Sequence, residues 1–157
     1  MKIALVAIVG LLAGSVQPGF AQPVRWSTFA IPETGTSVEI PASIFSEQAG
    51  RAPEGQGQRF QTPDHRANLT IQTTANPSGE APAGFLAKMN PPRRIQYKRV
   101  TSRFFVVSSY KGDTVWYDRC NFAGRFVHCV LINYPAREER AWDDIVTRIS
   151  LSLKGDN

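Results

Sequence analysis

The sequence predicts an α+β fold: one antiparallel β-sheet of about six to eight strands, packed by a C-terminal helix and one or two short helices. Three observations carry this expectation. From Ile95 to Asn133 the chain is almost continuous β-type sequence, with turn chemistry at Lys111-Gly112-Asp113 and Gly124-Arg125. Near the end, Trp142, Ile145, Val146, Ile149 and Leu153 recur at helical spacing and form one apolar stripe. The strands come in a run and the longest helix follows them, the element order of a layered α+β domain.

Each element follows from local chemistry. Arg25 to Ile31 alternates in polarity and Pro32 stops it; Glu33 to Thr36 reads as a turn; Ser37 to Ile40 returns before Pro41, giving a hairpin. Ala42 to Gln48 reads as one helical turn around Ile44 and Phe45. Ala49 to Gln58, rich in Gly, Gln and Pro, reads as a surface loop. Arg59 to Thr62 is a short strand, and Pro63-Asp64-His65-Arg66 is a turn in which Pro presets φ and Asp bonds locally. Ala67 to Thr73 places Ala67, Leu69 and Ile71 on one face and Asn68, Thr70 and Gln72 on the other, so this second hairpin has one buried face. After a loop over Asn76 to Pro82, Ala83 to Met89 is a short helix stopped by Pro91-Pro92.

Ile95 to Val100, Phe104 to Tyr110, Thr114 to Phe122 and Phe126 to Asn133 then form an antiparallel meander. Pro135 suits the first turn of the final helix, Glu138 and Glu139 complement the positive end of its dipole, and Gly155 ends it.

The two cysteines allow a geometric argument. Gly124-Arg125 is a two-residue loop with Gly first, the type II′ pattern. Counting outwards, Cys120 falls directly opposite Cys129 on a non-hydrogen-bonded pair, where side chains approach most closely. A structural disulfide is expected. The loop it closes is short, so its entropic contribution is about 2–3 kcal/mol or less.

Met1-Lys2, the apolar run from Ile3 to Leu12, and Gly19-Phe20-Ala21 have the form of a secretory signal peptide, with cleavage expected after Ala21. The run is shorter than the ~20 apolar residues a spanning helix needs, and no later stretch approaches that length. The expected organisation is a signal peptide over 1–21 and a single domain over 22–157, periplasmic or secreted, with no transmembrane segment. The oxidising compartment agrees with the disulfide. The net charge of +5 is mild and does not by itself argue for nucleic acid.

The order of motifs resembles the PsbP-like superfamily: Ile95-Gln96-Tyr97-Lys98-Arg99-Val100, Phe104 to Tyr110, Val115-Trp116-Tyr117, Val130 to Pro135, and Trp142 to Ile149. The segments Phe29 to Pro41 and Arg59 to Ile71 resemble its opening strands. The resemblance implies an antiparallel sheet sandwiched between helices, an α/β/α sandwich, and an accessory or binding role. It lends no residue-level site. The Arg-Cys…His-Cys…Tyr-Pro-Ala-Arg-Glu run is also similar to secreted proteins of α-proteobacteria.

No catalytic signature stands out. His65 and His128 are too few to form a transition-metal site once the cysteines are bridged, so no metal is expected. No G-x-S-x-G occurs, and Ser108, Ser109 and His128 all lie in strands. Gly55-Gln56-Gly57 lacks the strand-then-helix context of a phosphate or dinucleotide loop, and no cofactor is expected. Glu138-Glu139 and Asp143-Asp144 read as solvated charges.

The informative stretch is basic. Between Glu80 and Asp113 there is no acid, while Lys88, Arg93, Arg94, Lys98, Arg99, Arg103 and Lys111 all occur there with Tyr97 and Tyr110. Arg93, Arg94, Lys98, Arg99, Tyr110 and Trp116 are the candidate anion- or partner-binding residues. The competing reading is a solvated edge strand that uses cations to prevent edge-to-edge pairing, since alternation sends Lys98 and Arg99 to opposite faces. The expected function is a non-enzymatic periplasmic accessory domain contacting a protein or an anionic envelope component. Two alternatives are an enzyme acting on an anionic envelope substrate around the basic run and His128, and a carrier of a small apolar ligand under the C-terminal helix.

Overall fold

Seven antiparallel strands form the main sheet of the computed structural model, which describes residues 23–155; the expected signal peptide lies outside the described residues. The strands are β3 (Glu47–Arg51), β4 (Gln56–Gln61), β5 (Asn68–Ala75), β6 (Arg94–Val100), β7 (Phe104–Lys111), β8 (Thr114–Ala123) and β9 (Phe126–Pro135), in the spatial order β3-β4-β5-β9-β8-β7-β6. The predicted meander is β6 to β9. β1 (Trp26–Ile31) and β2 (Thr36–Pro41) form a separate two-stranded sheet, the predicted first hairpin.

Two helices cover opposite faces. α1 (Pro82–Met89) opens on a proline, where the missing N–H costs nothing, and closes on Asn90 in the left-handed region at φ 49°. It packs on Phe105, Val107, Cys120, Val127 and Cys129. α2 (Glu139–Ser152) lays Trp142, Val146 and Ile149, with Leu153 just beyond its end, over Leu69, Ile71, Val115, Val130 and Ile132. The central strands are therefore covered on both faces, and β5, expected to bury only one face, also buries Thr70 and Gln72 on the α1 side, as β8 buries Asp118.

The hairpin joins the α2 side through side chains and its C-terminal contact. Thr36 Oγ1 hydrogen-bonds Thr34, Thr73 and His128 Nδ1 in a buried cluster. Ser37 exchanges two backbone bonds with Lys154, and Arg148 grips Glu39 with two N–H groups.

Cys120 and Cys129 are bonded and face one another in register, with Cα atoms 4.1 Å apart, the spacing of a non-hydrogen-bonded pair. Gly124 has φ 55° and Arg125 a negative φ, as the type II′ reading requires.

Four local expectations are corrected. Ala42 to Gln48 holds a hydrogen-bonded turn, with Ile44 and Phe45 N–H both donating to the Pro41 carbonyl, and then enters β3. Ala49 to Gln58 is mostly strand: β3 and β4 pair across it with a bulge between Gln48 and Arg51. Pro135 ends β9, because α2 is preceded by a 3-10 turn over Ala136–Glu138. α2 stops at Ser152, ahead of Gly155, because Lys154 is drawn into its bridge with Ser37.

Candidate functional site

β6 is the edge strand, and all seven of its residues are exposed. A register shift between Ile95 and Tyr97 changes which side chains share a face. In regular alternation Arg94 and Arg99, five apart, would point to opposite faces. The extra residue puts Arg94 opposite Tyr110, Tyr97 opposite Ser108 and Arg99 opposite Val106, all on the α2 side of the sheet. Arg119 of β8 also lies opposite Val106 and joins them.

Aromatic rings hold these guanidinium groups. Arg94 sits 5.0 Å from the Tyr110 ring centre. Arg99 and Arg119 share one ring, at 5.4 and 4.7 Å from the centre of Phe104. Arg119 also donates to Asn121, and its pKa is lowered, chiefly by burial, with the charge of Arg99 contributing. The Tyr110 hydroxyl donates to Glu139, and that bond raises its pKa further than burial does. Among the described residues, Arg94, Arg99 and Arg119 have no carboxylate within ion-pairing distance; Lys88, bonded to Glu80, is the exception within the basic stretch.

The remaining candidates are divided. Lys98 lies opposite Val107 and so faces the α1 side, apart from Arg99, as alternation required. Trp116 also faces the α1 side, with the Lys111 ammonium 5.2 Å from its ring centre. Arg93 precedes β6 in the loop after Pro91-Pro92.

The residues of the enzymatic alternative lie on different faces of the sheet. His128 is fully buried on the α2 side of β9 and bonded to Thr36; it lies diagonally across the β8–β9 ladder from Arg119 but three strands from Arg94 and Arg99 on β6, about 14 Å at normal strand spacing. Ser109 faces the α1 side, opposite Trp116.

A second polar site, absent from the sequence reading, lies on the α1 side. Asp118 sits between Trp116 and Cys120 on one face of β8 and is 5% exposed; Gln72 on β5 is equally buried. Asp118 Oδ1 and Gln72 Oε1 have no hydrogen-bond partner among the described residues. Burial alone pushes the Asp118 carboxyl up to about 7. Both line a cavity of about 300 Å³ walled by Phe85, Met89, Pro91 and Trp116. The sequence carried one signal for it: alternation along Val115-Trp116-Tyr117-Asp118-Arg119-Cys120 sets an acid on the same face as the bridged cysteine.

A further cavity, about 360 Å³, lies by Ile44 and Trp142. Its charges are mutually satisfied, since Arg66 bonds both Asp64 and Glu138. Hydrogen bonds donated by the Thr62 hydroxyl, first, and then by Arg66 hold the Asp64 carboxyl well below the usual range.

No family model matches the sequence, and no curated protein matches it. Among solved structures, the chain is similar to cyanobacterial PsbP (CyanoP) from Synechocystis sp. PCC 6803, a solution structure. The TM-score is 0.62 and the identity 8%, over 88% of this chain and 97% of the other. With so few identities, the likeness is one of fold, and the protein has a PsbP-like α+β fold.

Proposed function

We propose that the protein is a non-enzymatic exported accessory domain that holds a partner through anionic groups at the α2-side face of β6 to β8. The observation that carries this reading is the set of Arg94, Arg99 and Arg119 on one face, ring-supported and with no carboxylate in ion-pairing distance among the described residues. Guanidinium groups suit carboxylate, phosphate or sulfate because their N–H donors form paired, charge-assisted bonds. Stacking on Tyr110 and Phe104 limits their rotation, so less freedom is lost on binding. The PsbP-like fold is compatible with an accessory role, and the leader-like N-terminus with an oxidised cysteine pair supports export. The bulge and Lys98 are devices that discourage strand addition, which favours contact through the face over pairing along the edge.

The test is retention on immobilised poly-glutamate and on dextran sulfate, across a salt series. Arg94→Glu/Arg99→Glu should elute at much lower salt than the wild type, while Lys98→Glu, on the other face, changes elution less. Retention of the wild type should fall steeply with salt, since exposed charges are screened over about 10 Å at 0.1 M. Equal retention by the folded double variant would leave the cations as edge protection only.

A further inference from the structure

The α1-side cavity holds an arrangement that the accessory role does not explain. Its floor is the sheet, its roof is the C-terminal half of α1 with Asn90-Pro91-Pro92, and Pro53 and Glu54 of the β3–β4 turn close one side. The walls are apolar and aromatic. Asp118 and Gln72 line its floor, and each carries a buried acceptor that the fold leaves unsatisfied, Asp118 Oδ1 and Gln72 Oε1.

Burying a lone carboxylate is strongly unfavourable unless something pairs with it. The charged groups near this cavity do not. Lys88 at the rim is bonded to Glu80 and largely exposed, Glu54 has the wrong sign, and Lys98 of β6 makes no bond to Asp118. Ser109, diagonal to Asp118 across the β7–β8 ladder, has a buried hydroxyl without a partner as well. Ser109 lies outside the lining, so Asp118 and Gln72 at the cavity floor remain acceptors without donors.

We propose that this cavity binds a small organic cation, a primary amine on an apolar or aromatic body, with Asp118 as its counter-ion, Gln72 Oε1 as a second acceptor, and Trp116 and Phe85 against its body. Three features select that class. An ammonium supplies the N–H donors and the positive charge that Asp118 lacks. The aromatic walls accept a cation or a flat apolar body. The volume, near the bottom of the roughly 300–1,000 Å³ range of ligand pockets, fits a compact molecule. Glu54 at the opening adds attraction of the same sign.

Binding is measured by calorimetry on the full domain at pH 8 with 2-phenylethylamine and its neutral counterpart 2-phenylethanol, and the site is located by amide chemical shifts. The expected result is saturable binding of the amine, about tenfold or more tighter than the alcohol, with shifts at Gln72, Trp116 and Asp118. Asp118→Asn, which keeps the side-chain shape, should lose that preference. Trp116→Ala should weaken both probes. Equal affinity for the two probes, retention of the amine preference in Asp118→Asn, or no binding of the amine at millimolar concentration would overturn the proposal. None of these outcomes depends on the basic face, which lies on the opposite side of the sheet.

Discussion

A single aspartate illustrates what one residue does to this fold. Asp118 occupies an inward position of a central strand where a β-branched residue would ordinarily stand, and its carboxyl titrates at about 7 because of burial. An unfolded chain gives an aspartate a value near 3.9. Between these values the folded state holds the proton and the unfolded state does not, so stability falls as pH rises from about 4 to about 7 and the loss levels off above that. Asp118→Asn removes the titration. The expected result is a variant close to wild type at pH 4 and more stable at pH 8, by up to about 4 kcal/mol, read from urea midpoints at the two pH values. An unchanged difference between the two would mean that Asp118 finds a partner in solution. At this scale the sequence was half legible. The basic residues could be counted, but their grouping depended on one inserted residue between Ile95 and Tyr97, and a bulge leaves no mark in the pattern of polarity.

Elements with a buried face or a run of β-formers were legible, and elements with neither were not. β7 to β9 and α2 announce themselves because burial enriches them in apolar residues at strand and helical spacing, and β6, exposed throughout, through Ile95, Tyr97 and Val100. β3 and β4 are Glu-Gln-Ala-Gly-Arg and Gln-Gly-Gln-Arg-Phe-Gln, with only Phe60 buried, at the far edge of the sheet, and carry no such period. Gly57 within β4 has φ 150°, and a Cβ there would fall 1.9 Å from the Ile71 carbonyl oxygen. A glycine that sequence reading assigns to a loop is thus a strand residue that lets two backbones approach. In α2, Trp142 stacks on Tyr134 with ring centres 5.3 Å apart and lies 5.7 Å from Phe45. Trp142→Ala should cost about 3–5 kcal/mol in a denaturant titration. A midpoint equal to wild type would mean that the helix is not anchored by that ring.

At the scale of the whole molecule, the beginning and end of the described chain stabilise one another. The β1–β2 hairpin shares no ladder with the main sheet. It is fastened by the Thr36 cluster, by Arg148 on Glu39, and by the Ser37–Lys154 bridge, while the Leu153 carbonyl accepts from Asn121 on β8. Leu153, 4% exposed, sits where these contacts meet. Leu153→Ala should cost about 2–5 kcal/mol and, more tellingly, should raise hydrogen exchange at Ser37 and Glu39 ahead of the meander. Loss of protection everywhere at once would show that the hairpin and the sheet open as one unit. This docking was not readable from sequence, because contacts between residues more than a hundred positions apart leave no local pattern.

The burial of the cysteine pair sets an order of events. Cys120 and Cys129 lie inside the cluster beneath α1, at 0% and 1% exposure. Thiol exchange requires an attacking thiolate to reach a sulfur. The oxidant must therefore act while the β8–β9 hairpin is still bare, before α1 seals it. In the finished protein, a reductant must wait for α1 to lift. The rate of reduction by excess dithiothreitol is then a clock for that opening, independent of reductant concentration once attack is faster than reclosure.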